Sequence, residues 1–186
     1  MTDTARGEFP DPRPLLGEPL SLDLLNTVWI DSAGPHDLLD DLTGLQLWLD
    51  THQLLAPVAH ATRVALQAAR DAVRAHVEAP DRPVSVEQLN AVLAHGRLSR
   101  TLTDSGPQEV LTVDRPEHLP GWRAAENYLH LLARDPRRIR RCRHPACVLR
   151  FYDTSPKNNR RWCSMAGCGN RSKAARHYDR TKHTKR

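Results

Sequence analysis

The stretch CRHPACVLRFYDTSPKNNRRWCSMAGC, residues 142–168, contains all four cysteines of the chain. They form two pairs with four residues inside each pair, Cys142 with Cys147 and Cys163 with Cys168, and fifteen residues separate the pairs. Structural zinc sites draw four thiolates from two close pairs because each short loop folds its backbone around the metal. The spacing therefore predicts one structural Zn²⁺ held by these four side chains.

Other interpretations of the cysteines are weaker. The first fourteen residues lack the apolar segment of a secretory signal, so we expect the chain to stay in the cytoplasm, where thiols remain reduced. Catalytic zinc needs an open coordination position, and four thiolates leave none. His144 lies inside the first pair and is an alternative ligand, although four cysteines are already available.

The residues around the cysteines predict a small zinc finger. Residues 148–152 are β-prone, residues 153–159 have turn chemistry, and residues 160–163 return to the second pair, which together predict a β-hairpin. Helix formers follow Cys168, so the predicted order resembles a treble clef. About 45 residues bury too little surface to fold alone. Zinc binding, worth about 10–16 kcal/mol in comparable sites, would supply the folding free energy.

Basic residues are concentrated at the end of the chain. Residues 137–186 contain 16 of the 27 lysines and arginines but only two acids, whereas the preceding part is net acidic. This asymmetry indicates that the C-terminal part meets a polyanion. No apolar run approaches the roughly 18 residues that span a bilayer, so we expect no membrane association.

The sequence before the cysteines predicts a helix-rich α+β domain with a small antiparallel sheet. We place this domain at residues 1–135, the zinc finger at 136–180 and a disordered basic tail at 181–186. Alternating apolar residues predict a strand over Leu20 to Ile30, and two β-prone runs around Ser105-Gly106-Pro107 predict a hairpin.

Helical periodicity is clear in two places. A helix over about 59–79 carries Leu66 and Val73 on one face, with Arg70 directed away from it. Another extends from Trp122 to Asp135. Capping boxes predict two further helix starts, and their residues are Thr43 with Gln46 and Ser85 with Gln88.

Asn26 and Thr27 interrupt the first apolar segment. They could line a pocket for a small-molecule effector, or they could satisfy local backbone groups at the end of a strand. The ten histidines are scattered without a metal-binding motif, and phosphate loops and nucleophile elbows are lacking. We therefore expect that the protein is not an enzyme.

The residues Cys168, Gly169, Asn170 and Arg171 spell the motif of the CGNR zinc-finger family, which the sequence resembles. Residues 160–165 and 151–156 are also typical of this family. Residues 22–27 and 45–49 are similar to the α/β domain that usually precedes the finger. The resemblance implies a bacterial, stress-induced transcription regulator whose finger binds DNA, with the four cysteines as metal ligands.

A basic helix after the last cysteine would present cations to a phosphate backbone. The candidate nucleic-acid contacts are Arg160, Arg161, Arg171, Lys173, Arg176 and Arg180. Duplex DNA is the leading partner, and we expect the protein to be associated with the nucleoid. We expect the N-terminal domain to sense an effector or to dimerise. Single-stranded nucleic acid or RNA is an alternative, because four aromatic residues lie in the last fifty residues. An acidic protein partner is the third hypothesis.

Overall fold

The computed structural model describes residues 11–174. Its helices are α1 (Leu20–Leu25), α2 (Leu42–Thr51), α3 (His60–Glu78), α4 (Pro83–Leu93) and α5 (Leu119–Arg134). Its strands are β1 (Val28–Asp31), β2 (Gly34–Asp37), β3 (Gly96–Thr103), β4 (Gly106–Val113), β5 (Ile139–Arg141) and β6 (Arg150–Tyr152), which form three antiparallel hairpins in chain order. The fold is α+β with helices dominant, as predicted. None of the described helices is both long and apolar enough to cross a bilayer.

Helices α3 and α5 form the centre of the helical layer. Leu66, Ala69 and Val73 of α3 are buried, as the periodicity predicts. Gly121 lets α5 approach closely, because a Cβ at this position would lie 2.9 Å from the Cβ of Ala69. Trp122, Ala125 and Leu131 then complete the buried face of α5.

The strand predicted over Leu20 to Ile30 is wrong in its first half. Residues 20–25 form α1, and only residues 28–31 form a strand. Leu22, Leu24 and Leu25 are all buried, so this short helix is enclosed by apolar neighbours. An apolar run of this length fits a buried helix as well as a strand, and tertiary packing decided between them.

Both predicted capping boxes are also wrong. Asp41, rather than Thr43, caps α2, because its Oδ1 accepts the Gly44 N–H at 2.8 Å. Helix α4 begins at Pro83, and the buried Ser85 hydroxyl donates to the Ala79 carbonyl at 2.7 Å. In each case the chain enters the helix earlier than the motif indicated.

Arg70 points into the protein and not away from it. It is 6% exposed and donates to both carboxylate oxygens of Asp37, at 2.6 and 2.7 Å. Its Nη1 also donates to the Thr27 hydroxyl at 2.8 Å. A charged position on the core side of α3 is tolerated because these partners neutralise and hydrogen-bond the guanidinium.

The hairpin β3–β4 confirms the predicted pair of strands, with Thr103 opposite Gly106 at the turn. The hairpin of the C-terminal part differs from the prediction. Strand β6 pairs with β5, which precedes the first cysteine; residues 160–163, predicted as the returning strand, do not form one. The first cysteine pair thus lies in the loop of the hairpin.

The C-terminal part packs directly on the helical part. All four cysteines and Phe151 belong to the same hydrophobic cluster as Leu24, Leu45 and Trp48. A polar contact reinforces this junction, since Asn26 Nδ2 donates to the Arg150 carbonyl and the Arg150 N–H donates to Asn26 Oδ1, both at 2.9 Å. The division into domains at residue 135 stays a prediction, with a shared core on both sides of it.

Replacing Asn26 with alanine is expected to destabilise the chain by about 2 kcal/mol, because both backbone groups of Arg150 lose their partner at a buried position. Urea unfolding followed by circular dichroism measures the loss. Asn90→Ala is the matched control, since Asn90 is exposed on α4, and it should change stability by less than about 0.5 kcal/mol. Equal stability of the two variants would contradict the assigned role of Asn26.

Candidate metal centre and its basic surface

The first two cysteines are presented by the loop between β5 and β6. The Cys142 N–H donates to the Leu149 carbonyl at 2.9 Å, which continues the β5–β6 pairing to the start of the loop. The Cys147 N–H donates to the His144 carbonyl at 3.0 Å and closes a tight turn. Both side chains are consequently directed inward and are buried, 4% and 6% exposed.

The second pair lies at the start of the C-terminal helix. Cys163 precedes a π-helical turn, Met165–Gly169, which contains Cys168. The Ser164 hydroxyl accepts the Gly167 N–H at 3.3 Å and its carbonyl accepts the Gly169 N–H at 3.0 Å. Residues 170–174 continue as α-helix. The turn therefore fixes the helix relative to the cysteines.

The four sulfur atoms all lie within 4.8 Å of one another. Cys147 Sγ is 3.9 Å from Cys163 Sγ, which is 3.6 Å from Cys168 Sγ. A tetrahedral zinc with Zn–S bonds of about 2.3 Å places its sulfurs about 3.8 Å apart. The cluster therefore fits one structural zinc ion, as predicted. All four cysteines are free thiols rather than disulfides.

The chemistry of the sulfurs also fits a cation. A hydrogen bond from Cys163 lowers the pKa of Cys147, and the same hydrogen bond raises the pKa of Cys163. Burial raises the pKa of Cys168. Four buried thiolates repel one another, so protons must be retained unless a divalent ion compensates the charge. Zinc would release these protons and bind all four sulfurs.

Hydrogen bonds describe the surroundings of two residues beside the cysteines. His144 lies outside the sulfur cluster, and its Nδ1 accepts the Ala146 N–H at 3.3 Å. Arg171 Nη2 donates to Cys168 Sγ at 3.1 Å. Arg171 is exposed to solvent at the start of the helix. Its hydrogen bond also stabilises a metal-binding sulfur, as hydrogen bonds to the ligands do in other metal sites.

Arg160 lies at the junction of the two parts, and 31% of its side chain is exposed to solvent. Its Nη2 donates to Glu18 Oε1 at 3.2 Å, its Nε donates to the Trp162 carbonyl at 3.0 Å, and its guanidinium carbon lies 4.2 Å from the centre of the Phe151 ring. Glu18 also accepts the Tyr152 N–H at 2.8 Å. These contacts favour a joining role for Arg160 over a nucleic-acid contact.

Arg161 and Lys173 are exposed, as nucleic-acid contacts require. Arg176 and Arg180, the remaining candidates, lie outside the described residues. Apart from Arg137, which pairs with Asp135, three further exposed cations among residues 136–174 are absent from the predicted contacts: Arg141, Arg143 and Lys157. The signal that could have identified them is their position beside the first cysteine pair and in the turn between the pairs.

Asn26 and Thr27 are buried, 1% and 0% exposed. Asn26 is engaged with the backbone of Arg150, and the Thr27 hydroxyl donates to the Leu24 carbonyl at 2.7 Å. These bonds use their polar groups inside the fold. They favour the alternative in which the two residues satisfy backbone groups and do not line a pocket.

The fold and the sulfur cluster define a zinc-finger protein with one structural metal centre. In agreement, the sequence model described as "CGNR zinc finger" matches residues 138–181. The model described as "Putative stress-induced transcription regulator", the ABATE family, matches residues 18–135, which is more than half of the chain. The chain therefore belongs to the ABATE family. A comparison with the curated proteins found no match.

Proposed function

We propose that the zinc-ordered finger binds the phosphate backbone of duplex DNA and that the protein is a bacterial transcription regulator. The observation that carries this proposal is the charge of the finger surface. Among residues 136–174 the only acid is Asp153, and it is 0% exposed. Its carboxylate accepts the backbone N–H groups of Ser155 and Arg160, at 2.9 and 2.8 Å.

The exposed face of the finger consequently presents cations without neighbouring acids. Seven basic side chains of residues 136–174 are exposed, and one of them, Arg137, pairs with Asp135 at 3.1 Å. The other six have no carboxylate within 4.0 Å among residues 11–174: Arg141, Arg143, Lys157, Arg161, Arg171 and Lys173. Cations without a neighbouring carboxylate attract phosphates, and counterions are released on binding. Both family descriptions, a zinc finger and a transcription regulator, support this proposal.

Duplex DNA is favoured over single strands because the aromatic rings of the described part of the finger are engaged in contacts within the protein; Tyr178, the fourth aromatic residue, lies outside the described residues. Phe151 is 0% and Tyr152 4% exposed, so neither ring can stack on a base. Trp162 is partly exposed, but the Arg161 guanidinium lies 5.3 Å from the centre of its ring. In this proposal the N-terminal part senses an effector or dimerises. The protein acts in the cytoplasm, bound to the nucleoid.

The test is a titration of the zinc-loaded protein against duplex DNA, single-stranded DNA and RNA at several salt concentrations. Contact with about six phosphates predicts a slope of log K against log salt near −5 for the duplex. Arg143→Gln and Arg161→Gln should each weaken binding across unrelated sequences and reduce the slope by about 1. Fluorescence anisotropy measures both quantities.

The matched control is Arg97→Gln, which removes an exposed arginine from β3 of the N-terminal part and should leave affinity and slope unchanged. Preference for single strands that is lost in Trp162→Ala would instead support the RNA or single-strand hypothesis. Weak binding that is insensitive to salt would favour a protein partner. An equal effect of Arg97→Gln and Arg161→Gln would refute the assigned surface.

A further inference from the structure

Three potential metal ligands meet at the base of the β3–β4 hairpin, far in sequence from the cysteines. His95 Nδ1 lies 2.9 Å from Asp114 Oδ2, and His118 Nδ1 lies 2.6 Å from Asp114 Oδ1. The ligand atoms of all three residues are within 4.8 Å of one another. The histidines look scattered in the sequence, and this cluster corrects that interpretation.

The fold holds these residues together from three sides. His95 follows α4, and its carbonyl accepts the Asp114 N–H at 2.9 Å, which closes the base of the hairpin. His118 ends the 3₁₀ turn that leads into α5. Gly96 packs against α5, since a Cβ there would lie 2.7 Å from the Trp122 ring, and Trp122 Nε1 donates to the Leu93 carbonyl at 3.0 Å. The relative position of the ligands is thus fixed by packing.

The cluster is accessible to an ion from solution. The side chains of His95 and Asp114 are 40% and 48% exposed, whereas that of His118 is 12% exposed. Both histidines line a cavity of about 390 Å³ whose walls also include His60, Val64 and Glu117. The open coordination positions of an ion bound by these residues would face this cavity.

We propose that His95, Asp114 and His118 bind one divalent first-row transition metal ion, at a site separate from the four-cysteine centre. Two imidazoles with one carboxylate select ions such as Zn²⁺, Co²⁺ or Ni²⁺ over Mg²⁺ or Ca²⁺, which prefer oxygen ligands. Three protein ligands leave coordination positions open for water or a small donor molecule from the cavity.

The charges at the cluster suit a cation. Asp114 supplies one carboxylate between the two imidazoles, with an oxygen within hydrogen-bond distance of each. A bound ion would replace the two hydrogen bonds between the Nδ1 atoms and this carboxylate. The only other charged groups lining the cavity are Arg115 and Glu117, which pair with each other at 3.6 Å within the described part of the chain. The inference is independent of nucleic-acid binding.

The test uses the full chain with zinc already bound at the cysteines, and Co²⁺ as the probe. Isothermal titration should show one further equivalent of Co²⁺, with the weak visible bands of nitrogen and oxygen ligands and without the intense sulfur-to-metal bands of a thiolate site. His95→Ala and Asp114→Asn should each weaken this binding about 10-fold or more, because loss of even an outer partner costs 10–100-fold.

His130→Ala is the matched control. His130 is also exposed and paired with a carboxylate, Glu126, at 2.5 Å, but has no second imidazole beside it in the described part of the chain. It should bind Co²⁺ as the unchanged protein does. Far-UV circular dichroism establishes that each variant is folded. Absence of a further equivalent, or unchanged affinity in both His95→Ala and Asp114→Asn, would overturn the proposal.

Discussion

Replacing Cys163 with serine is expected to abolish stoichiometric zinc binding at the four-cysteine centre and to unfold the finger. The zinc-bound state of comparable small sites is stabilised by about 10–16 kcal/mol of apparent free energy, which exceeds what so small a core supplies. Because the four cysteines share a hydrophobic cluster with Leu24, Leu45 and Trp48, the loss should also loosen the adjoining part of the helical layer.

Metal analysis and amide hydrogen exchange measure this result. In the zinc-loaded protein we expect slow exchange over residues 139–152, and fast exchange there in Cys163→Ser or after chelation. His144→Gln is the matched control, because His144 lies in the same region but outside the sulfur cluster. A full equivalent of zinc in Cys163→Ser, with exchange as slow as before, would contradict the assignment.

Replacing Asp23 with alanine is expected to destabilise the chain by roughly 3 kcal/mol, the lower end of the cost of breaking a buried ion pair, because Arg13 keeps Asp11 as a counterion. Asp23 is 1% exposed. Its Oδ1 accepts hydrogen bonds from the Arg13 guanidinium, from Trp48 Nε1 at 3.0 Å and from His52 Nε2 at 2.8 Å. Removal of the carboxylate leaves Trp48 unpaired and Arg13 with only Asp11 as its counterion among the described residues.

The same site makes stability depend on pH. Burial raises the pKa of Asp23, but the hydrogen bonds and charges of His52 and Arg13 outweigh it and hold the folded-state pKa below the usual value. Because its pKa is lower in the folded state, ionised Asp23 stabilises the folded protein at pH values above the unfolded-state pKa of about 3.9. This stabilisation is lost as the pH falls from there through the folded-state pKa.

Urea unfolding at pH 7 and at low pH measures both effects. Asp71→Ala is the control, since Asp71 is exposed on α3, and it should change stability by less than about 0.5 kcal/mol. If Asp23→Ala were as stable as Asp71→Ala at pH 7, Asp23 could not be the buried anchor described above. The difference between the two variants should narrow as the pH falls.

Local signals in the sequence were sufficient for the long helices, the β3–β4 hairpin and the zinc centre. Helix α3 extends over five turns, so its 3.6-residue period is unambiguous. The metal-binding cysteines are identified by two close pairs, a spacing that is typical of structural zinc sites. Each of these signals lies within a short segment, and packing elsewhere in the chain does not alter it.

The remaining features depend on partners distant in sequence. The direction of Arg70 is set by Asp37, 33 residues away, and that of Arg160 by Glu18, 142 residues away. From the sequence alone, a basic residue is predicted to be solvent-exposed when the acidic residue that pairs with it in the fold is distant along the chain. The same reason explains why Asn26 could be assigned either to a pocket or to the backbone.

The His95–Asp114–His118 cluster could have been found in part. The predicted turn at Ser105-Gly106-Pro107 brings the region before Leu98 close to Asp114, but only the observed register, with Gly96 opposite Val113, places His95 and Asp114 just outside the two ends of the hairpin. His118 follows Asp114 by four residues, which is compatible with one turn of helix. What the sequence could not provide is the packing of Trp122 against Gly96, which brings α5 to the base of the hairpin.

The most direct measurement of the central claim is the X-ray absorption fine structure of zinc in reduced protein that carries one equivalent of the metal. The four-cysteine centre predicts four sulfur neighbours at about 2.3 Å and no nitrogen or oxygen in the coordination shell. A shell with two or more nitrogen or oxygen neighbours at about 2.0–2.1 Å would contradict it, because zinc would then be bound by side chains other than these cysteines.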